Sequence, residues 1–443
     1  MKLYLYILNV LFLTTSFAKG SALLSEHREE PKNDKCLVIV ADGNLALYEQ
    51  TLNDISSPKI LVCAQSALSE TVKTPLHLQY KKIIPIEDYF TSGAVELALY
   101  KISKEDEIDR IIATSETDIL RIGHVRSYLN LRGQNYESAL AFRDKVRMKK
   151  ILQEQGISVP RFSSINCSLE LIQFTEKHGF PVIIKPKRGY GASHMTILRS
   201  QSELEAFIKK SQIFDEFHKT SLEVEGFITG NMYHVDGIIR NKKPLLMWPS
   251  AYINQCIDMV FGKHVGSYLL TEDDRMYKPL VEFCSQVLKT LPTPDDTGFH
   301  LEVFEREDEI IFCEIASRIA SPWMNEMWIQ GLNFNLKKEF IRAQAGIPTT
   351  YIKPENPLIQ VSGGIIFPAQ EGKVIKCSNN CPFEWVTSYT LNIQLDDILA
   401  KPTDMLEPVA LMTLTAANTE QIKTRFLELI KWFNQETHIE KPL

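Results

Sequence analysis

The chain has 443 residues, 44% hydrophobic and 23% charged, the profile of a globular protein with core enough for roughly two to four domains. Its formal net charge is −6 and no Lys/Arg cluster stands out, which argues against a nucleic-acid partner. Eight cysteines stand mostly alone in apolar runs such as CLVIV and IIFCEI, reading as small buried residues more than as a disulfide framework. Cys377 and Cys381 are the one close pair; a local bridge there stays open, and without neighbouring histidines they do not read as a zinc site.

Lys2 precedes an apolar stretch, Leu3 to Ala18, with Ser16 and Ala18 spaced like a small-x-small cleavage site. Residues 1–34 therefore read as a signal-like segment and polar linker, short for a membrane span. A cleaved signal would export the protein. A retained anchor, with Lys19, Arg28, Lys32 and Lys35 following it, would place the body on the cytoplasmic face.

From residue 35 the pattern alternates. Apolar strands at Cys36–Ala41, Lys59–Ala64, Lys82–Pro85 and Arg110–Thr114 are separated by helical stretches such as Ala94–Lys101. That alternation predicts a small, doubly wound α/β domain over 35–140 with a parallel sheet. Asn135 to Gly156 reads as one long helix ending at a glycine. A compact unit over about 160–235 follows, with a helix at Ser168–His178, a second at Ser202–Lys210 and a strand at Leu222–Gly230. Strands at Tyr233–Arg240 and Pro244–Trp248 read as part of a larger antiparallel sheet, and Asp273–Lys289 as a helix. The tail from about 352 alternates again and closes on a helix at Thr419–Asn434. Loops around Trp248–His264 and Pro322–Gln330 are the expected sources of substrate specificity.

Chemistry concentrates in two places. The first is Phe180–Leu198, FPVIIKPKRGYGASHMTIL. A buried β-branched strand is interrupted by Lys185, whose ammonium group there needs an anionic partner. Gly189, Gly191 and Ser193 then form a loop whose backbone can approach phosphate oxygens closely. Met195–Leu198 resumes a strand, so the loop joins two strands, unlike a P-loop, which opens a helix. The second is the hairpin Gly298–Arg306 and Glu309–Arg318. Glu302 and Glu314 sit among apolar neighbours and fall opposite each other across the turn. Two adjacent carboxylates repel unless a cation or a proton lies between them, and hard oxygen ligands facing a triphosphate point to Mg²⁺. Arg318, four residues beyond Glu314, suits capture of a phosphate or carboxylate. His234 and Asp236 share one strand face near this site, His234 reading first as a packed, hydrogen-bonded histidine.

A lysine in the preceding helix, PVIIKPKRGYGAS, VEGFITGNMYHVDG and GFHLE…CEIASR together resemble the ATP-grasp superfamily of carboxylate–amine ligases, in the branch of L-amino-acid ligases and carnosine-synthase-like enzymes. The resemblance implies an α/β (α+β) architecture: the doubly wound domain, an ATP-grasp domain over 141–350 with a mobile small lobe at about 160–235, and a C-terminal lobe over 351–443. It implies Lys145 and Lys185 as phosphate-binding lysines, with the loop Gly189–Ser193 closing over the phosphates. Glu225, Phe227 and Ile228 are implied to bind adenine, Glu302 and Glu314 to hold Mg²⁺, and Arg318 to steady an acyl phosphate. The implied reaction is ATP-dependent joining of a small carboxylate, an amino acid, to an amine, with release of ADP and phosphate. The chain departs from the family pattern at Met232, Ala316 and Ala320-Ser321. A biotin-carboxylase or purine-biosynthesis type of carboxylase and a non-catalytic ATP-binding module remain alternatives, and a homodimer stays open.

Overall fold

The computed structural model describes residues 35–69, 79–210, 221–402, 405 and 407–441. The signal-like segment 1–34 lies outside the described residues. No helix among those described is long and apolar enough to cross a membrane.

The N-terminal region follows the alternating pattern. Strands β1 (Cys36–Ala41), β2 (Lys59–Ala64), β3 (Lys82–Ile86) and β4 (Ile108–Ala113) form a parallel sheet of order β3-β2-β1-β4. Between and after them lie α1 (Leu45–Thr51), α2 (Ala94–Glu105) and α3 (Ile119–Leu129). Every residue of β1 is buried, as a central parallel strand covered on both faces requires.

The long helix expected over Asn135–Gly156 is two helices, α4 (Tyr136–Ala141) and α5 (Lys145–Glu154). Each has its own start signal. Asn135 accepts from the Ser138 N–H, and Asp144 accepts from the N–H groups of Val146 and Arg147, satisfying donors that a new helix N-terminus leaves free. The break places Lys145 in the first turn of α5.

A small four-stranded antiparallel sheet of order β5-β8-β6-β7 comes next: β5 (Phe162–Ile165), β6 (Val182–Pro186), β7 (Thr196–Leu198) and β8 (Leu222–Gly226). Helices α6 (Ser168–His178) and α7 (Gln201–Lys210) accompany it. The strand expected to run to Gly230 ends at Gly226, leaving 227–230 as the link to the large sheet.

That large sheet has eight strands, order β13-β12-β9-β10-β11-β14-β18-β16. Its members are β9 (Asn231–Arg240), β10 (Lys243–Tyr252), β11 (Val265–Leu269), β12 (Thr297–Arg306), β13 (Glu309–Ala316), β14 (Val361–Phe367), β16 (Val386–Leu391) and β18 (Ala410–Ala416). The C-terminal strands thus extend the same sheet that carries the glutamate hairpin. A minor sheet joins β15 (Gly372–Lys376), β17 (Ile398–Leu399) and β19 (His438–Glu440). At the hairpin, Glu307 and Asp308 have φ of 52° and 65°, the twist-matched geometry of a two-residue turn.

Two helix pairs cover the large sheet. On one face Val235, Phe299, Leu301 and Val303 join a core with α8 (Tyr277–Thr290) and α11 (Thr419–Glu436). On the other, Ile238 and Trp248 pack with Trp328 and Phe340 of α9 (Pro322–Leu332) and α10 (Leu336–Gln344). Strand alternation then puts His234, Asp236, His300 and Glu302 on the α9/α10 face. Gly237 lies opposite Phe299; a Cβ there would stand 2.6 Å from the Leu246 carbonyl oxygen and from the Phe299 ring.

Of the two expected specificity loops, Trp248–His264 begins in a strand and Pro322–Gln330 is helical, and both contribute to the lining of a cavity, through Gln255 and Cys256 and through Met324. Trp248 is fully buried in β10, its indole N–H donating to the Leu270 carbonyl at 2.9 Å, and only 253–264 beyond the strand is irregular or 3₁₀. Pro322–Gln330 is the body of α9. Ser321 before a proline at the first helical position is a helix-start pattern, and Trp323, Met324, Met327 and Trp328 are buried. All eight cysteines, Cys377 and Cys381 among them, are free thiols.

Candidate functional site

A cavity of about 540 Å³ lies between the small sheet, the large sheet and the N-terminal domain. Lys185, Tyr190, Gly191, Ala192 and Glu225 line one wall, and His300, Glu302, Cys313, Glu314 and Arg318 the facing one. Phe227 and Ile228 line it too, with Ile183, Met195, Met232 and Phe304 adding apolar surface. Of the residues singled out from sequence, Lys145, Gly189 and Ser193 stand behind this lining.

Lys185 is the fourth residue of β6, directly opposite Glu223 on β8, with Glu225 two residues further on the same strand face. Its ammonium lies 2.7 Å from Glu225 Oε2 and 3.9 Å from Glu223 Oε1. Lys149 of α5, itself fully buried, lies 2.8 Å from Glu223 Oε2 and also pairs with Glu225. These four side chains form a buried double ion pair. Burial opposes charge on every member. Against that, the two lysines hold Glu225 at about 2, whereas burial together with the Glu225 charge pushes Glu223 up to about 7. Glu225, expected at the adenine, is thus engaged with two ammonium groups.

Helix α5 reaches both walls, because residues four apart share a helix face. Lys149 serves the small sheet, while Lys145 donates to the Gly189 carbonyl at 2.7 Å and pairs with Glu314 Oε2 at 2.8 Å. This lysine anchors the glycine loop at its base. Within the loop Gly191 takes φ +63°, as do the non-glycine residues Ala192 (57°) and His194 (55°). Gly189 does not, and Ser193 turns its hydroxyl back to the Tyr190 carbonyl at 2.8 Å.

Glu302 and Glu314 are cross-strand partners in the β12/β13 register. Glu302 Oε1 accepts from the Tyr252 hydroxyl at 2.8 Å, the Cys256 thiol at 3.4 Å and His300 Nε2 at 3.3 Å. His300 Nδ1 donates to Asp236 Oδ1 at 2.9 Å, and His234 Nδ1 to Asp236 Oδ2 at 2.5 Å. His234 and Asp236 are completely buried and lie behind the cleft wall, not in it. Burial disfavours the His300 cation, but Asp236 and Glu302 raise its pKa to about 10. Burial likewise opposes ionisation of Glu314, yet Lys145 and Lys185 bring it to about 2. Both facing glutamates are thus anionic at neutral pH, the donor set of a hard divalent cation.

Arg318 lies two residues beyond β13. Its Nε donates to Glu116 Oε2 at 2.5 Å and its Nη1 to the Ile319 carbonyl at 2.8 Å. Glu116, just after β4, also pairs with Arg143, which donates in turn to the Arg188 carbonyl at the base of the glycine loop. One carboxylate therefore ties the N-terminal domain, the arginine and the loop together.

A profile of the ATP-grasp domain family matches residues 142–322, the stretch that carries both lysines, the quartet and the glutamate hairpin. Residues 142–322 are thus an ATP-grasp domain. An L-arginine-specific L-amino acid ligase of Bacillus subtilis is 27% identical over 316 residues, covering 70% of this chain and 75% of the relative. The carbamoyl phosphate synthase large chain of Thermotoga petrophila is 24% identical over 147 residues, 31% of this chain but 13% of that much longer protein. Among solved structures, the L-amino acid ligase from Bacillus licheniformis superposes with a TM-score of 0.71 at 15% identity, covering 92% of this chain and 99% of its own. The ATP-grasp architecture therefore extends beyond the matched domain to nearly the whole described chain.

Sequence reasoning passed over Lys149, Glu223, Glu116, Arg143 and His300, and reached Tyr252 and Cys256 only as part of the expected loop Trp248–His264. Signals existed for three. Lys149 is four residues from Lys145, Glu223 two from Glu225, and His300 two from Glu302, each on its partner's face. Glu116 and Arg143 had none.

Proposed function

We propose that this protein is a Mg²⁺·ATP-dependent ligase that activates a small carboxylate, an amino acid, as its acyl phosphate and transfers the acyl group to an amine. The observation that carries the reading is the pair of anionic glutamates in cross-strand register, facing Lys185 across a cleft of nucleotide size. The ligase relative from Bacillus subtilis, similar over most of both chains, supports it.

In this reading the apolar slot of Ile183, Phe227, Met232 and Phe304 takes adenine, with backbone groups of 226–228 at its edge. Lys185, exchanging Glu225 for a phosphate oxygen, and Gly191 with its neighbouring amides hold the triphosphate. Glu302 and Glu314 hold Mg²⁺, which neutralises charge on the phosphates. A substrate carboxylate oxygen attacks the γ-phosphorus, the bond to the β,γ-bridging oxygen breaks, and ADP leaves. The amine nitrogen then attacks the acyl carbon, phosphate departs with the bonding pair, and the amine gives up a proton. Arg318, beside Glu314, stabilises the anionic acyl phosphate. Positioning and charge neutralisation account for most of the acceleration. The far end of the cleft, with Leu47, Tyr48, Ile319, Met324 and Phe340, offers an apolar surface for a substrate side chain.

The test is ADP release by residues 35–443 across pairs of amino acids. The reading requires release that depends on both a carboxylate and an amine, with a new amide bond detected by mass. Bicarbonate-dependent release would replace it with a carboxylase. Tight ATP binding without ADP formation across the panel would replace it with a nucleotide-binding module.

A further inference from the structure

The two facing glutamates are held in different ways. Glu314 meets one lysine, whereas the hydrogen bonds to Glu302 all fall, among the described residues, on a single oxygen, Oε1. Three donors from three strands or turns converge there: Tyr252 at the end of β10 (2.8 Å), Cys256 in the 3₁₀ turn that follows (3.4 Å), and His300 on Glu302's own strand (3.3 Å). His300 is not free to turn. Its other nitrogen is 2.9 Å from Asp236, Asp236 is 2.5 Å from His234, and His234 is 2.6 Å from the Ser267 hydroxyl. This chain of side chains crosses the sheet from β12 through β9 to β11, and all its members are buried. The register enforces it, since His300 lies opposite Asp236 and Glu302 opposite His234.

We infer that His300, Tyr252 and Cys256 form a three-point clamp that saturates Glu302 Oε1 and presents Oε2 as the single oxygen offered to the cation, with Asp236 and His234 as positioning residues behind it. The inference rests on Glu302 being a metal ligand, as proposed above. A carboxylate pinned on one oxygen binds in monodentate fashion and in one rotamer, so the cation's position between β12 and β13 is set by the sheet rather than by the nucleotide. Partners behind a metal ligand orient it in this way generally.

The test is Mn²⁺ binding by electron paramagnetic resonance in the presence of a non-hydrolysable ATP analogue, beside the analogue's affinity in EDTA, for the full chain. His300→Leu is expected to weaken Mn²⁺ binding about 10-fold while leaving metal-free analogue affinity within about twofold. His300→Gln, which keeps an N–H for Glu302, is expected to recover most of that loss. Should His300→Leu fail to fold, Tyr252→Phe with Cys256→Ala removes two donors without touching the histidine–aspartate chain, and a several-fold weakening of Mn²⁺ is expected. Wild-type Mn²⁺ affinity in the folded variants, or equal losses of Mn²⁺ and metal-free nucleotide, would overturn the clamp. So would a stoichiometric zinc ion lost in His234→Ala, because His234, Asp236 and His300 offer ligand atoms within 4.8 Å of one another and would then be a metal site themselves. Glu302→Gln separates the two levels. Unchanged Mn²⁺ binding there would remove the metal site of the proposed ligase and the clamp with it, whereas loss there without loss in His300→Leu would remove the clamp alone.

Discussion

The two walls of the cleft handle buried charge differently. On the small-sheet wall two lysines and two glutamates pair among themselves, so the wall's charge is compensated before any ligand arrives. On the large-sheet wall Glu302 and Glu314 face each other with Lys145 and a histidine already held by Asp236, leaving anionic oxygens directed at the cleft. Buried charge is stable only when paired. The small-sheet wall is therefore self-sufficient, whereas the large-sheet wall, in the function proposed above, is completed by a cation.

Altering the unfinished wall should cost activity first. Glu314→Gln is expected to lower ADP release by about 100-fold or more, the order found when a charge-stabilising group is removed. A variant retaining full turnover would place the cation elsewhere.

Altering the self-sufficient wall should cost stability first. Lys149→Ala leaves two buried carboxylates sharing the single ammonium of Lys185 and is expected to destabilise by about 3 kcal/mol, read from urea unfolding. Lys149→Met combined with Glu223→Gln removes both partners and should regain a large part of that. If the double variant is no better than the single, the quartet is not a paired unit.

A smaller effect is expected from pH. Glu225, lowered to about 2 from an ordinary value of 4.5, contributes stability that is full above 4.5 and lost as pH falls toward 2. Glu223, raised to about 7, contributes stability that is full below 4.5 and lost as pH rises through 7. Their combined contribution peaks near pH ~5 and declines both ways. In Glu223→Gln the decline between pH 5 and 7 should flatten, as measured by urea midpoints across that range. A slope identical to wild type would assign it to other groups.

The smallest effect is expected far from either wall. Cys377→Ser with Cys381→Ser should change stability by about 1 kcal/mol or less, and mass spectrometry after alkylation should find both wild-type thiols modified. A bridged pair would contradict the structure.

Local pattern made much of this legible. The apolar runs of β1 and β2, the helix α6, and the glutamates opposed across a polar turn all follow from periodicity and turn chemistry over a few residues. What periodicity does not carry is pairing at long range. Glu116 meets Arg318 across 202 residues and Lys149 meets Glu225 across 76, and no spacing rule connects them. The split between α4 and α5 was present in the caps Asn135 and Asp144 but masked by a helical pattern continuous through both. Pro322–Gln330 was expected only as a specificity loop, although Ser321 followed by a proline at the first helical position is a helix-start pattern.

Helix α10 has a consequence for how the chain is made. Ile341 and Ala345 complete the hydrophobic core of the N-terminal domain, and Gln344 exchanges hydrogen bonds with both the N–H and the carbonyl of Ala113, at 3.1 and 2.7 Å. This domain, synthesised ahead of the ATP-grasp region, therefore lacks part of its interior until about two hundred further residues have been added. A parallel sheet with an incomplete core is an aggregation hazard, which the docking of α10 closes.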